Sequence, residues 1–303
     1  MKKMKNMSMS NRLFYLFNTI FWIVILFVTI YPLYLVLIAS FSSYDAIVRG
    51  DVFLWPVDFS LIGYEAVIHN TELWRCYANS LFYVAGTIVV GITLTLSAAY
   101  ALSRKNMVGR SAINMYFVIT MFFSGGLIPE YLLMRNIGLY DTGAIMILTG
   151  CVTTWNLMVA RTYIQTSIPD ELYEAAVLDG ASHFQYFAKV VMPLSRTIMA
   201  VLAVYYGVAK WNNYMTGMVY IRDRSKLPLQ TLLKEILATL QVELTDEVLL
   251  AMDGNIESMM DAVRIANVSK YCIIVVATVP VVVLYIFLQK YFEKGVMIGS
   301  LKG

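Results

Sequence analysis

The chain has 303 residues, of which 59% are hydrophobic and only 14% charged, with a mean hydropathy of +0.66. Soluble domains carry about 25% charge, so a solvated globule is excluded and the chain reads as an integral membrane protein. The net charge of +3 comes without the Lys/Arg-rich block that nucleic-acid binding needs, and Cys76, Cys151 and Cys272 fit neither a disulfide framework nor a metal site.

The first element follows the basic stretch MKKMKNMSMSNR. The apolar run from Leu13 to about Ser40 is longer than the roughly 7–15-residue core of a secretory signal and lacks a small-residue cleavage site. It is expected to remain as a first span, with Pro32 near its outer end. A span takes roughly 20 mostly apolar residues, and five more candidates follow at about 78–102, 112–132, 142–164, 196–218 and 270–290. Gly125, Gly126, Pro129 and Gly138 soften the ends of the third and fourth, and Lys210 weakens the fifth. The expected architecture is an all-α membrane domain over 13–291 with six spans. Residues 1–12 and 292–303 are expected as cytoplasmic tails.

Basic residues near span ends set the orientation. Lys2, Lys3, Lys5 and Arg12 precede the first span, Arg104, Lys105 and Arg110 fill the turn after the second, and Lys290, Lys294 and Lys302 follow the sixth. Six crossings put all three groups on one side, the cytoplasm, together with residues 171–194. The longer segments 41–77 and 219–269 fall outside; the latter carries Arg222, Arg224 and Lys226, then an acidic helical piece from about Glu243 to Asp261.

The cytoplasmic segment ELYEAAVLDGASHFQYFAKVVMPL reads like part of a soluble helical protein. Ser167 is placed to cap a helix, Pro169 suits its first turn, and Asp170 completes a capping-box spacing. Asp170, Glu171 and Glu174 then lie toward the positive end of the helix dipole. Gly180 permits the left-handed turn that ends this helix, Ser182 offers a cap for a second, and Pro193 starts the return to the membrane. Interfacial helices usually carry Lys and Arg on their polar face. This first helix is acidic, so a protein partner explains it better than a lipid surface.

The spacing Glu174-Ala175-Ala176, three residues, Gly180, nine residues, Val190-Val191-Met192-Pro193 resembles the EAA loop of ABC importer permeases. Val190 and Met192 stand where that family has Ile and Leu. The flanks resemble the carbohydrate, MalG-like branch and its polysaccharide-permease-like subgroup. They are Asn79-Ser80, Ala99 to Arg104, Phe123 to Pro129, Trp211-Asn212 and Pro228-Leu229-Gln230, in the right order over nearly the whole chain. The resemblance implies a coupling helix seated on a separate ATPase, with Glu174, Ala175, Ala176, Asp179, Gly180 and Pro193 as the coupling residues. It implies a second permease chain in a heterodimer, two ATP-binding subunits holding ATP and Mg, and an extracellular or periplasmic solute-binding protein. It also implies a sugar substrate and a multi-pass location in a bacterial cytoplasmic membrane.

Nothing in the chain reads as catalytic or metal-binding: GxxxxGK[ST], HExxH and GxSxG are absent, and His69 and His183 lack partners at diagnostic spacings. The fifth span contains AKWNNYMTGM. Lys210 lies about 21 Å along a helix from Arg196, a depth at which an ionisable residue points to function. Lys210, Trp211, Asn212 and Tyr214, with Asn79 on the second span, form a candidate substrate path, since sugars present hydroxyl edges and apolar faces. An interfacial aromatic belt with a snorkelling lysine and packing asparagines explains the same residues. The segment around Pro228-Leu229-Gln230 is open to two readings, a face for a solute-binding protein or a plain re-entry loop. A non-sugar ABC permease is the nearest alternative. A secondary transporter would show related halves and intramembrane carboxylates, which the sequence lacks.

Overall fold

A computed structural model describes residues 9–239 and 256–300, and among the described residues all regular structure is helical. The expectations placed on Lys2, Lys3, Lys5, Lys302 and Glu243 fall outside these residues. Two compact units divide the chain, Met1–Asn70 with Ile236–Ala277 and Thr71–Glu235 with Thr278–Gly303.

In the first unit, α1 (Met9–Ala39) is a 31-residue apolar helix with Pro32 inside it. Its side chains are largely exposed, as expected of a surface made for lipid or a neighbouring chain. Its end becomes buried at Ile38, Ala39 and Ser40, where the short helices α2 (Tyr44–Arg49) and α3 (Ile62–His69) fold back. Phe41 stacks on Phe59 and packs against Tyr64, and Ser40 Oγ shares a 2.8 Å hydrogen bond with Tyr64 Oη.

The second unit is organised on α4 (Thr71–Ser103). Its buried residues include Leu73, Cys76, Ser80, Tyr83, Thr87, Gly91, Thr95, Ala99 and Leu102, a stripe at helical spacing, while Leu81, Phe82, Val89 and Leu94 are exposed. Both faces are apolar and both carry hydroxyls; the buried Ser80, Thr87 and Thr95 bond to other segments, whereas the exposed Thr93 and Ser97 bond back to their own helix. A Cβ on Gly91 would lie 2.7 Å from Cys151 O and 3.2 Å from the Tyr206 ring, so glycine sets that approach. Thr95 and Tyr206 hydroxyls meet at 2.6 Å, and Thr87 Oγ1 donates to Ile147 O at 3.2 Å.

Three of the expected spans are not continuous helices. The third stops at Phe122 in α5 (Arg110–Phe122) and resumes as α6 (Leu127–Asn136), turned by 118°, with Gly126 at φ +86 in the break. The fourth divides into α7 (Gly143–Leu148) and α8 (Thr154–Ser167). Gly150 turns left-handed there, and Thr153 caps α8 by accepting from Asn156 N. The fifth stops as α12 (Arg196–Trp211) and restarts as α13 (Met215–Tyr220). Asn213 Oδ1 accepts from Thr216 N at 2.9 Å, a local bond that competes with helix continuation. After α14 (Leu229–Thr239), α15 (Ile256–Ser300) is a 45-residue helix that contains Pro280 and includes the stretch expected as the sixth span.

Candidate functional site

The segment between α8 and α12 follows from its local chemistry. The residue before a proline is pushed out of helical geometry, and Ile168 adopts φ −114, ψ 107. Pro169 therefore occupies the N-cap position of α9 (Asp170–Leu178) and makes no side-chain cap bond. The capping box expected from Ser167 and Asp170 is not formed, because Ser167 is the last residue of α8. Asp170 instead turns its carboxylate to Lys105 Nζ at 3.0 Å and Arg104 at 3.8 Å. The Lys105 hydrogen bond, then the two positive charges, hold this carboxyl below the ordinary carboxylate range.

The end of α9 is a Schellman turn. Gly180 stands at φ +74, its N–H donates to Val177 O at 3.0 Å, and Ala181 N donates to Ala176 O at 2.9 Å. A complete capping box then starts α10 (His183–Tyr186): Gln185 N donates to Ser182 Oγ at 3.2 Å and Ser182 N to Gln185 Oε1 at 2.8 Å. A wider π-helical turn over Phe187–Val191 leads into α11 (Met192–Leu194), with Pro193 inside it. Proline cannot donate to the carbonyl four residues back and its ring crowds that carbonyl, so a widened turn just ahead suits it. The chain then bends by 77° at Ser195 into α12.

What fastens this loop is Arg104, at the end of α4. Its guanidinium carbon lies 5.3, 5.0 and 5.9 Å from the ring centroids of Tyr100, Tyr173 and Tyr186. Tyr186 is 1% exposed and belongs to the same core as Leu96, Ala160, Ile164, Val191 and Leu202. Tyr173 and Ala176 pack against that core from α9. The arrangement clamps the first helix of the loop to the end of α4 through one cation held among three aromatic faces. His183 stacks on Tyr173 with centroids 5.5 Å apart, and its ring nitrogens lie 3.3 Å from Tyr100 Oη and 3.4 Å from Tyr173 Oη. A cavity of about 730 Å³ opens beside it, lined by Arg104, Lys105, Asp170, Tyr173 and Glu174 among others.

The rest of the loop surface, with Glu174 at its border, is uncovered. Glu174, Ala175 and Asp179 are exposed, beside exposed Leu172, Val177, Leu178 and Phe184. Leu178 is 89% exposed and Phe184 77%. Acidic and apolar groups thus share one tip, on a loop whose other side is anchored. Sequence reasoning uses Arg104 as a marker of orientation and, with Tyr100, as part of the Ala99 to Arg104 flank, and gives neither these two nor Tyr173 and Tyr186 a role in fastening the loop. The i, i+4 spacing of Tyr100 and Arg104 is visible, but nothing local ties them to tyrosines on a loop far along the chain.

The candidate path residues separate in the structure. Lys210 is buried, donates to Thr149 O at 2.7 Å and lines a cavity of about 660 Å³ with Asn213. Trp211 is buried edge-on against Tyr77 and does not line that cavity; neither do Asn212, Tyr214 or Asn79. Asn79 Nδ2 donates to Ser225 O at 2.8 Å and Leu227 O at 3.1 Å, and Leu229 N donates to Ser80 Oγ at 2.8 Å. The segment around Pro228 is therefore knitted onto the start of α4. Asp141, at φ +56, accepts from Arg222 N and Asp223 N, both at 3.0 Å. Those bonds, led by the Asp223 N–H, hold its carboxyl below the ordinary carboxylate range.

A family model described as "Binding-protein-dependent transport system inner membrane component" matches residues 7–298. The chain is 33% identical to the polygalacturonan/rhamnogalacturonan transport system permease protein YtcP of Bacillus subtilis, over 97% of this chain and 100% of that one. It is 27% identical to the arabinooligosaccharides transport system permease protein AraQ of Halalkalibacterium halodurans, over 94% and 95%. Among solved structures, a chain of a bacterial ABC transporter involved in the import of the acidic polysaccharide alginate superimposes with a TM-score of 0.85. That chain is 31% identical, over 94% of this chain and 99% of that one.

Proposed function

The chain belongs to the family of binding-protein-dependent transport system inner membrane components, and from that premise we propose that it is the permease subunit of an ATP-driven importer of oligosaccharides or related sugars. It is a multi-pass membrane protein and a transport component, not an enzyme. The saccharide class rests on the relatives named for polygalacturonan, rhamnogalacturonan and arabinooligosaccharide transport. In this reading α5 with α6, and α7 with α8, each make one broken crossing. Six crossings then leave both termini in the cytoplasm, and the transmembrane domain runs over 13–291.

The observation that carries the coupling role is the loop itself, exposed at Glu174, Leu178 and Phe184 and clamped from behind by Arg104. Glu174 supplies a fixed anion, and Ala175 and Ala176 allow close approach. Asp179 caps the helix, Gly180 aims the second helix and Pro193 sets the return toward α12. The loop seats on one of two ATPase subunits, which hold the ATP and Mg, while a second, distinct permease chain completes the path. ATP binding closes the ATPase pair, and the anchored loop carries that movement into α4 and α12. A solute-binding protein delivers sugar on the outer side.

The test is Glu174→Arg combined with Gly180→Asp in the assembled importer. ATP-driven sugar uptake is expected to fall by at least about tenfold, with the ATPase subunits no longer co-purifying. Uptake and co-purification that both match wild type would remove the coupling assignment.

A further inference from the structure

The Lys210 cavity holds a cation without a described counter-charge. The lysine is 7% exposed, and the bond from its ammonium to Thr149 O uses one of three N–H donors. Among the described residues, the cavity lining contains Thr, Asn, Tyr and Trp side chains and no Asp or Glu. Asn213 Oδ1 is committed to Thr216 N and Thr153 Oγ1 to Asn156 N. An ammonium in a low-dielectric setting strongly favours an anion over a neutral hydroxyl. Beside it, Trp155 is 61% exposed and lines the same space, as does the buried Asn156. The volume, about 660 Å³, lies within the range of small-molecule sites.

We propose that this cavity is a subsite for an acidic sugar, in which Lys210 pairs with a uronate carboxylate and Trp155 covers the apolar face of the ring. The inference rests on the sugar-import reading and narrows its cargo to carboxylated saccharides. Asn213, three residues beyond Lys210, keeps the second side of the subsite uncharged.

The assembled importer in proteoliposomes tests this with trigalacturonate and, as its uncharged counterpart, the methyl ester. Equilibrium dialysis is expected to show the acid bound at least about tenfold more tightly than the ester, the scale of one charge-assisted hydrogen bond. Lys210→Met should erase that margin while leaving ester binding in place. Asn213→Asp keeps both the lysine and the cap on Thr216 N, adds a carboxylate to the cavity, and should erase the margin as well. No preference for the acid in wild type, including no binding of either probe, overturns the inference, as does a margin that survives both variants. ATP-driven uptake of any saccharide by the same vesicles then shows that the sugar reading stands. A failure to import every saccharide offered would sink both.

Discussion

Arg104 is placed so that one residue joins the loop between α8 and α12, the proposed coupling loop, to the end of α4. Its charge lies among three tyrosine rings and beside Asp170, with only 13% of the side chain exposed. The ion pair alone adds little, because Asp170 is 54% exposed and solvent screens it. The stacked faces contribute more, roughly 0.5–2 kcal/mol each when desolvated. Arg104→Ala is therefore expected to loosen the loop without dissolving it. ATP hydrolysis should persist while uptake falls about tenfold, and Arg104→Lys should fall between, since an ammonium keeps the charge but loses the planar stack. Uptake and hydrolysis that stay in their wild-type ratio in Arg104→Ala would show that the clamp carries no coupling.

The elements are legible where a signal is local and obscure where it is shared. Gly180 and Ser182 announce a turn and a cap, and both occur at those positions. The Ser167 cap fails because Pro169 excludes helical geometry from Ile168, which lets α8 run to Ser167 and leaves the proline to start α9. Hydropathy spreads the fourth span over 142–164 because it cannot detect a left-handed Gly150 between two apolar stretches. Likewise residue type groups Trp211 and Asn79 with Lys210, whereas contacts with Tyr77 and with the segment around Ser225 commit them elsewhere. No local signal singles out Asp141, yet it ties the approach to α7 to the 221–226 segment by two backbone bonds, and its carbonyl accepts from Lys226 Nζ at 2.8 Å. The pKa of its carboxyl in the folded chain lies below the ordinary 3.8, so its contribution is present above that value and is lost as pH falls through the folded one. Asp141→Ala should cost at most about 1 kcal/mol in thermal unfolding at neutral pH, because its bond from Arg222 N is exposed and that from Asp223 N only part-buried. Asp141→Asn should keep most of the stability and remove this group's share of the acid dependence. An Ala variant that melts like wild type would mean the two backbone donors find water instead.

At the scale of the whole molecule, the proposed sidedness rests on contacts at the two ends of α4. Its last turn is followed by Arg104 against Asp170, which keeps the turn at 104–110 and the coupling loop at the same end of that helix. Its first turns hold Asn79 and Ser80 against 225–229, so that segment belongs to the other end. The 33-residue length of α4 amply exceeds a bilayer core of about 30 Å at 1.5 Å per residue. The two ends therefore fall on opposite sides if α4 crosses, and the basic cluster Arg104, Lys105 and Arg110 favours the cytoplasm for the first. Cys76, Cys151 and Cys272 are buried, which makes single introduced cysteines readable against a low background. In intact cells, a membrane-impermeant thiol reagent should label Arg222→Cys and leave Gly109→Cys and Asp179→Cys unlabelled until the membrane is opened. Labelling of Asp179→Cys from outside would invert the chain and place the loop where no ATPase could reach it.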